Sequence, residues 1–202
     1  MDTADRLFRR LEQLNEIGAA LSKERDIERL LESILIAAKA ITHADGGTLY
    51  RVTEDGQALR FEIVRTDSLN FALGGTTGKP VGFPDLPLHD VAGAPNNSLV
   101  AVHAALSGET VNIADAYYEA GFDFSGTADF DRRTGYRSRA FLTVPRRNHE
   151  DEIIGVLQLI NCLDPDTGRV TTFSAADQRL AESLASQAAI VLTNRQLISQ
   201  LE

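Results

Sequence analysis

Residue types that could carry out a reaction are few in this chain, and their spacing matches no catalytic motif closely. The run Gly74–Lys79 (Gly-Gly-Thr-Thr-Gly-Lys) is similar to a phosphate-binding loop, but Leu73 stands at the first glycine position of that loop, and Pro80 follows the lysine where Ser or Thr is needed. The Gly-x-Ser-x-Gly pattern of serine nucleophiles does not occur in the sequence. The histidines lie far apart in the sequence, so that only the fold could assemble a metal site from them: His43, His89, His103 and His149.

The single cysteine, Cys162, follows an apolar stretch. A lone cysteine there is either a small buried side chain or a nucleophile, and we interpret it as buried. It cannot form a disulfide within the chain, which favours a reducing compartment. We therefore expect no catalytic residues, no metal site and a cytoplasmic location.

Composition excludes several classes of partner. The 202 residues are 43% hydrophobic and 24% charged, as in one soluble domain. The 29 acidic residues outnumber the 20 basic ones, and no basic cluster could neutralise a run of phosphates, so we expect no binding to nucleic acid. No apolar run approaches the roughly 20 residues that a bilayer span needs, so we expect no membrane insertion.

Helical periodicity is clear at both ends of the chain. Asp5–Leu21 carries a narrow apolar stripe, and a second helix with a broader stripe begins after Asp26, a predicted N-cap. Ser174–Asp177 has the pattern of a capping box and opens a helix that runs to the chain end.

Strand periodicity predicts two hairpins. The residues from Gly47 to Ile63 alternate around a turn at Asp55-Gly56, and Ala140–Val144 and Ile153–Asn161 flank a polar turn. Glu109–Ile113 is a further candidate strand. Because hairpin links are too short for parallel crossovers, we predict an α+β fold with a mostly antiparallel sheet.

Two long segments lack a period. Asp67–Asn97 is predicted as a loop with one short strand around Val81, and Ala114–Arg137 as one or two short helices. Between them, a short helix over Leu99–Leu106 is predicted to be capped by one of three polar residues: Asn96, Asn97 or Ser98. These segments are long and apolar enough to cover the sheet face that the long helices leave bare.

Three stretches together resemble the GAF domain family of small-molecule-binding regulatory domains. They are Val111–Tyr117, Phe130–Pro145 and Ile154–Asn161, the second containing Thr-Gly-Tyr-Arg-Ser-Arg. The resemblance covers almost the whole chain. It is strongest to the cyclic-nucleotide-binding subgroup found in phosphodiesterases, adenylyl cyclases and bacterial sensor proteins.

One signature of that subgroup is only partly kept. Asn161, Phe173 and Asp177 match it, but Cys162 stands at its lysine position and Gln178 at its glutamate position. In the family the lysine and the aspartate pair to brace the fold beside the pocket. Asp177 therefore has no partner from the motif, although its position in the capping box already gives it a structural role.

The resemblance implies a six-stranded antiparallel sheet with the long terminal helices on one face and a lidded pocket on the other, an arrangement also similar to PAS domains. We predict a GAF domain over residues 25–180. Residues 1–24 are expected to form a dimerisation and signalling helix, and residues 181–202 a helix that continues toward an output domain.

A cyclic nucleotide, cyclic AMP or cyclic GMP, is the expected ligand. By the family arrangement the helix start at Asn97, Ser98 and Leu99 faces the pocket, where its free N–H groups would bind phosphate; ordinary helix capping is the alternative. Phe130 is predicted to stack on the purine. The remaining candidates are polar residues that could form hydrogen bonds with the base or ribose: Asp115, Asp131, Thr134 and Ser138. Asp131 could instead cap a lid helix.

Two hypotheses follow from these observations. In the first, the chain is a regulatory sensing module that binds a cyclic nucleotide and signals through a homodimeric bundle of its terminal helices. In the second, it is a GAF-like dimerisation scaffold whose pocket is collapsed or empty, as loss of the lysine would permit.

Overall fold

A computed structural model describes residues 2–201. The helices are α1 (Thr3–Lys23), α2 (Ile27–Thr42), α3 (Val100–Ser107), α4 (Ser125–Thr134) and α5 (Ala175–Leu201). The strands are β1 (Ala44–Val52), β2 (Ala58–Thr66), β3 (Phe71–Gly74), β4 (Leu86–Pro87), β5 (Val111–Ile113), β6 (Phe141–Arg147), β7 (Ile153–Leu163) and β8 (Val170–Thr171). The predicted α+β fold is confirmed.

The strands form one sheet in the order β3-β2-β1-β7-β6-β5, in which all neighbours are antiparallel. Two short strands extend it, β4 beside β2 and β8 beside β7. Both predicted hairpins are present. Asn148 organises the second turn, since its side-chain oxygen accepts hydrogen bonds from the backbone N–H groups of Glu150 and Glu152, both at 2.9 Å.

The two faces of the sheet pack differently, as the alternation of strand side chains requires. Leu49, Leu142 and Leu157 lie on one face and are buried under α2 and α5. Tyr50, Phe141 and Val156 lie on the other face, where α3 and the irregular segments cover them. The expected division into a helix face and a pocket face is therefore confirmed.

The terminal helices α1 and α5 run parallel, and the side-chain contacts between them extend from Arg10 to Ser22 of α1. Arg10 pairs with Asp177 near one end, and Arg195 donates to the Ser22 carbonyl at 3.0 Å near the other. Leu14 and Leu21 of the α1 stripe are buried in the main core, whereas the three apolar residues of its first half remain exposed: Leu7, Phe8 and Leu11. Half of this stripe therefore packs within its own chain.

Two predicted helix starts are confirmed. The Asp26 carboxylate accepts a hydrogen bond from the Arg29 N–H at 2.9 Å. Ser174 and Asp177 form a reciprocal capping box, with bonds of 2.7 Å from the Ser174 N–H to the Asp177 carboxylate and 3.1 Å from the Asp177 N–H to the Ser174 hydroxyl.

Two local predictions are wrong. No strand forms at Val81, where the flanking Pro80 and Pro84 lack the N–H groups that a strand needs; β3 and β4 form on either side instead. The predicted caps of α3 also fail, because Leu99 is the N-cap residue and no side chain caps the helix. The Asn97 amide oxygen lies instead 3.2 Å from a ring nitrogen of His103.

Candidate functional site

A cavity of about 530 Å³ lies on the pocket face of the sheet. Its volume is within the range of small-molecule sites. The floor consists of alternate residues of the central strands, among them Thr48 and Tyr50 of β1 and Gln158 and Ile160 of β7. Among the described residues this pocket is therefore open, and not collapsed as the scaffold hypothesis allows.

The long loop after β2 forms one wall of this cavity. It supplies Phe83, Pro84 and Leu86. The Phe83 ring lies 5.3 Å from that of Phe61, which is 4.7 Å from that of Tyr50, so this wall is continuous with the floor. The loop thus closes part of the site, as its length and apolar content indicate.

Two helix N-termini meet at another part of the cavity wall. Leu99, Val100 and Ala101 at the start of α3 line the cavity, and so do the first residues of α4, Ser125–Thr127. The Asp123 N–H donates to the Ser98 carbonyl at 2.7 Å and holds the two starts together. Within residues 2–201, the backbone N–H groups of Ala101, Gly126 and Thr127 have no hydrogen-bond acceptor.

Charged groups are few and lie at the rim. Asp123 and Asp129 line the cavity together with Arg133, which pairs with Asp129 at 3.2 Å. Hydrogen bonds from Ser125 to the Asp123 carboxylate hold its pKa below the ordinary value, so that Asp123 is ionised at neutral pH. The charged groups at the rim are therefore two carboxylates and one guanidinium, and Asp129 is the carboxylate that pairs with Arg133.

Gln158 is a polar group in an otherwise apolar part of the floor. Its amide nitrogen donates to the Thr143 hydroxyl at 3.1 Å, and its amide oxygen accepts from the Tyr50 hydroxyl at 3.4 Å. Burial raises the pKa of Tyr50, so this phenol remains a donor. Gln158 is not among the site residues predicted from the sequence, although a glutamine between Val156 and Ile160 in a buried-strand pattern indicates a polar group on this face.

Asn161 joins the end of β7 to the segment that closes the cavity. Its side-chain oxygen accepts from the N–H groups of Arg139 (2.7 Å) and Ala140 (3.1 Å), and its nitrogen donates to the Arg137 carbonyl (2.8 Å) and the Tyr136 hydroxyl (3.0 Å). Tyr136 lines the cavity and donates to Asp45 at 2.7 Å. Burial and the Asp45 carboxylate both raise the pKa of Tyr136, so its hydroxyl is not ionised at neutral pH.

Three of the site residues predicted from sequence line the cavity: Leu99, Phe130 and Ser138. Phe130 is held by an edge-to-face contact with Phe71, at 5.7 Å between ring centroids. The Ser138 hydroxyl donates to the Asp131 carboxylate at 2.8 Å, so only its oxygen lone pairs remain for a ligand.

The other candidates lie outside the lining and bond to protein groups. Asp131 is buried and accepts from the Tyr117 hydroxyl at 2.6 Å as well as from Ser138. Asp115 pairs with Arg137 at 2.9 Å and lies 3.6 Å from Arg139. The remaining three candidates are exposed: Asn97, Ser98 and Thr134. The Thr134 hydroxyl donates to the Phe130 carbonyl.

Cys162 and Asp177 lie on the helix face of the sheet, away from the cavity. Cys162 is buried, and burial raises the pKa of its thiol to about 12. Asp177 pairs with Arg10 of α1, a partner from outside the family motif. Among residues 2–201 there is no cluster of three or more His, Cys, Asp or Glu that could hold a metal ion, and no helix is both long and apolar enough to cross a membrane.

Comparison with characterised proteins gives relatives among the cyclic nucleotide phosphodiesterases. The chain is 29% identical over 167 residues to a cGMP-specific 3',5'-cyclic phosphodiesterase of Drosophila virilis, an alignment that covers 78% of this chain and 17% of that protein. It is 38% identical over 105 residues to the dual 3',5'-cyclic-AMP and -GMP phosphodiesterase 11 of Drosophila melanogaster, covering 51% and 7% respectively. The chain thus spans less than a fifth of the length of either relative.

Solved structures share the fold at low identity. The GAF domain of a phosphoenolpyruvate-protein phosphotransferase from Coxiella burnetii superposes with a TM-score of 0.70 at 14% identity, covering 96% of this chain and 98% of that one. A free methionine-R-sulfoxide reductase from Neisseria meningitidis gives a TM-score of 0.62 at 17% identity, covering 100% and 96%. The family model described as GAF domain matches residues 26–192. The chain therefore belongs to the GAF domain family.

Proposed function

We propose that this GAF domain is a regulatory module that binds a cyclic nucleotide in the 530 Å³ cavity. The observation that carries the proposal is the meeting of two helix N-termini, those of α3 and α4, at one wall of that cavity. Their free N–H groups and helix dipoles provide positive potential for one phosphate in a chain whose net charge is −9.

The rest of the cavity suits a purine nucleoside. Phe130 offers an aromatic face for stacking, and the Gln158 amide carries both donor and acceptor atoms for a base edge. Ser138 can accept a hydrogen bond from the ribose or base. Three predicted residues lie outside the lining and hold the residues around it. Asp115 pairs with Arg137, and Asp131 accepts a hydrogen bond from Ser138. Thr134 bonds to the Phe130 carbonyl at the end of α4.

The names of the relatives support the same ligand class. One is a cGMP-specific phosphodiesterase and another acts on both cyclic AMP and cyclic GMP. The chain corresponds to a small part of each, so its role is regulatory rather than catalytic in this proposal. Micromolar or weaker binding is expected, because most of the contacts are neutral.

A charge placed at the α4 start tests the proposal. Gly126 lines the cavity, and nothing lies within 4 Å of a Cβ built on it. Gly126→Asp puts a carboxylate beside the phosphate while favouring the helix start, whereas Gly126→Asn is its uncharged match. Calorimetry should give binding of cyclic GMP or cyclic AMP to the parent and to Gly126→Asn, and at least about tenfold weaker binding to Gly126→Asp. Binding of neither nucleotide to the parent at millimolar concentration would contradict the proposal.

Signal output through a homodimer is the second part of the proposal. The exposed apolar residues of the terminal helices would pack against a second copy: Leu7, Phe8, Leu11, Ile190, Leu197, Ile198 and Leu201. Sedimentation of the parent should indicate a dimer at micromolar concentration. A Leu197→Glu/Ile198→Glu variant should sediment as a monomer, whereas Gln196→Glu on the same segment should not change the mass. A parent that remains monomeric would exclude this route.

A further inference from the structure

Arg10 of α1 supplies the positive charge that Asp177 needs. Its Nη2 donates to the Asp177 carboxylate and also to the Ile41 carbonyl at 2.9 Å. The Asp177 side chain is 8% exposed and that of Arg10 is 22% exposed, so the pair is largely removed from solvent. Among residues 2–201, no other cationic side chain pairs with Asp177.

Cys162, on β7, lies beside this carboxylate, with its Sγ 4.0 Å from a carboxylate oxygen. The thiol carries no positive charge, and burial raises its pKa to about 12. A cation at position 162 would be a permanent part of the sheet. In this chain the cation is on a terminal helix instead, so the ion pair joins two separate elements.

Helix α1 packs on the rest of the domain mainly through its second half. Its first half exposes Leu7, Phe8 and Leu11, and only Leu14 and Leu21 are buried. Without Arg10, Asp177 keeps the hydrogen bond from the Ser174 N–H and its favourable place at the α5 N-terminus. Detachment therefore leaves a carboxylate that is still partly stabilised, and the sheet, α2 and α5 keep their common core.

The same end of β7 reaches the cavity. Asn161, the neighbour of Cys162, holds the cavity-lining Tyr136, and the Cys162 thiol donates to the Thr42 carbonyl at 3.4 Å. A continuous set of contacts thus runs from the cavity wall through Asn161 and Cys162 to Asp177 and α1.

We propose that the Arg10–Asp177 ion pair is a releasable latch through which the docking of α1 on α5 is coupled to the cavity. The latch itself is independent of ligand identity, whereas its coupling to ligand rests on the proposed function. A ligand that orders the wall at Tyr136 stabilises the docked state, and by linkage a docked α1 strengthens ligand binding by the same factor.

Amide hydrogen exchange of the full chain tests the latch without any ligand. Arg10→Gln should speed exchange within residues 3–23 by about tenfold, the factor expected for loss of one charge-assisted bond, with little change in β6 and β7. Arg9→Gln, an exposed neighbour on the same helix, is the matched control and should behave as the parent. Equal exchange of α1 in both variants would overturn the latch, and so would a uniform increase across the whole domain.

The double variant Arg10→Gln/Cys162→Lys keeps the test valid if Arg10→Gln alone unfolds. The new lysine can reach Asp177 from the sheet and restore its counter-charge without restoring the link to α1. Thermal stability should recover while α1 exchange remains fast. Parent-like protection of α1 in this variant would overturn the proposal.

Cyclic GMP then tests the coupling. It should slow α1 exchange in the parent and not in Arg10→Gln, which should also bind it more weakly. Binding to the parent with no change in α1 exchange would overturn the coupling. If the parent binds no nucleotide, the proposed function fails while the ligand-free comparison still decides whether the latch exists.

Discussion

The side-chain amide of Asn161 donates to the Tyr136 hydroxyl at 3.0 Å and so ties the last long strand to the cavity wall. The same side chain satisfies three backbone groups of residues 137–140. One residue thereby fixes the path by which residues 137–140 lead into β6. Its backbone is in the left-handed region, at φ 58°, which asparagine tolerates better than most residues.

Replacing Asn161 should therefore destabilise the domain in two separable ways. Asn161→Ala loses all the side-chain bonds and strains the backbone, and it should lower the free energy of unfolding by about 2–4 kcal/mol. Asn161→Gly loses the same bonds without the strain and should be about 1 kcal/mol more stable than the alanine variant. Urea denaturation measures both values. Equal stability of the alanine variant and the parent would refute the bracing role.

Asp123 should discriminate between nucleotides by charge. Its ionised carboxylate lies at the rim beside the α4 start, where we propose that the phosphate binds. The phosphate of cyclic GMP carries one negative charge, and that of 5'-GMP carries nearly two. The parent should bind cyclic GMP more tightly than 5'-GMP. Asp123→Asn keeps an acceptor for the Ser125 N–H, and it should reduce the ratio of the two affinities by about three- to tenfold. Competition binding gives the ratio. Exposed Glu119→Gln is the control, and an unchanged ratio in Asp123→Asn would exclude this role.

Gly155 is required by a buried arginine. A Cβ at this position would overlap with the guanidinium of Arg146 and the carbonyl of Tyr50, which are themselves joined by a hydrogen bond of 2.7 Å. Gly155→Ala should cost about 2 kcal/mol or more in thermal or urea unfolding. Gly82→Ala, where nothing lies within 4 Å of the new Cβ, should remain within about 0.5 kcal/mol of the parent. Comparable stability of the two variants would show that Arg146 moves aside freely.

Cys162 should be unreactive in the folded protein. Its pKa is raised to about 12 by burial, so very little thiolate exists at pH 8, and aromatic disulfide reagents should react only after unfolding. The raised pKa also determines the direction in which the stability of the fold changes with pH. The folded state holds the proton more tightly, so the contribution of Cys162 is complete below the ordinary pKa of a thiol and is lost as the pH rises toward about 12. Cys162→Ala should therefore lose less stability at alkaline pH than the parent. Rapid modification of the thiol in the folded parent would contradict its burial.

Local signals in the sequence predicted much of the architecture. The capping box at Ser174 and the hairpin turn at Asp55-Gly56 depend on residues close in sequence, and both are present. The strand at Phe71–Gly74 was missed because four residues ending in glycine carry too weak an alternation, and it forms by pairing with the edge of β2. Pairing with β2, rather than a local sequence pattern, therefore determines that β3 forms.

The candidate site was less predictable, since its key contacts join distant residues. Arg10 and Asp177 are 167 positions apart, and no spacing rule connects them. Asp131 was a candidate for ligand binding, but Tyr117 and Ser138 occupy its carboxylate. Conversely, Phe130 and Leu99 were accessible to sequence reasoning because a family resemblance, rather than local periodicity, indicated which elements face the cavity.

Amide proton–nitrogen correlation spectra recorded during titration with cyclic GMP and cyclic AMP test whether the cavity binds a nucleotide through the two helix starts. At least one nucleotide should shift the amide signals of Ala101, Gly126 and Thr127 at these helix starts, together with that of Phe130, by larger amounts than the other signals. Spectra that do not change with either nucleotide, or shifts confined to residues outside the cavity, would contradict this binding.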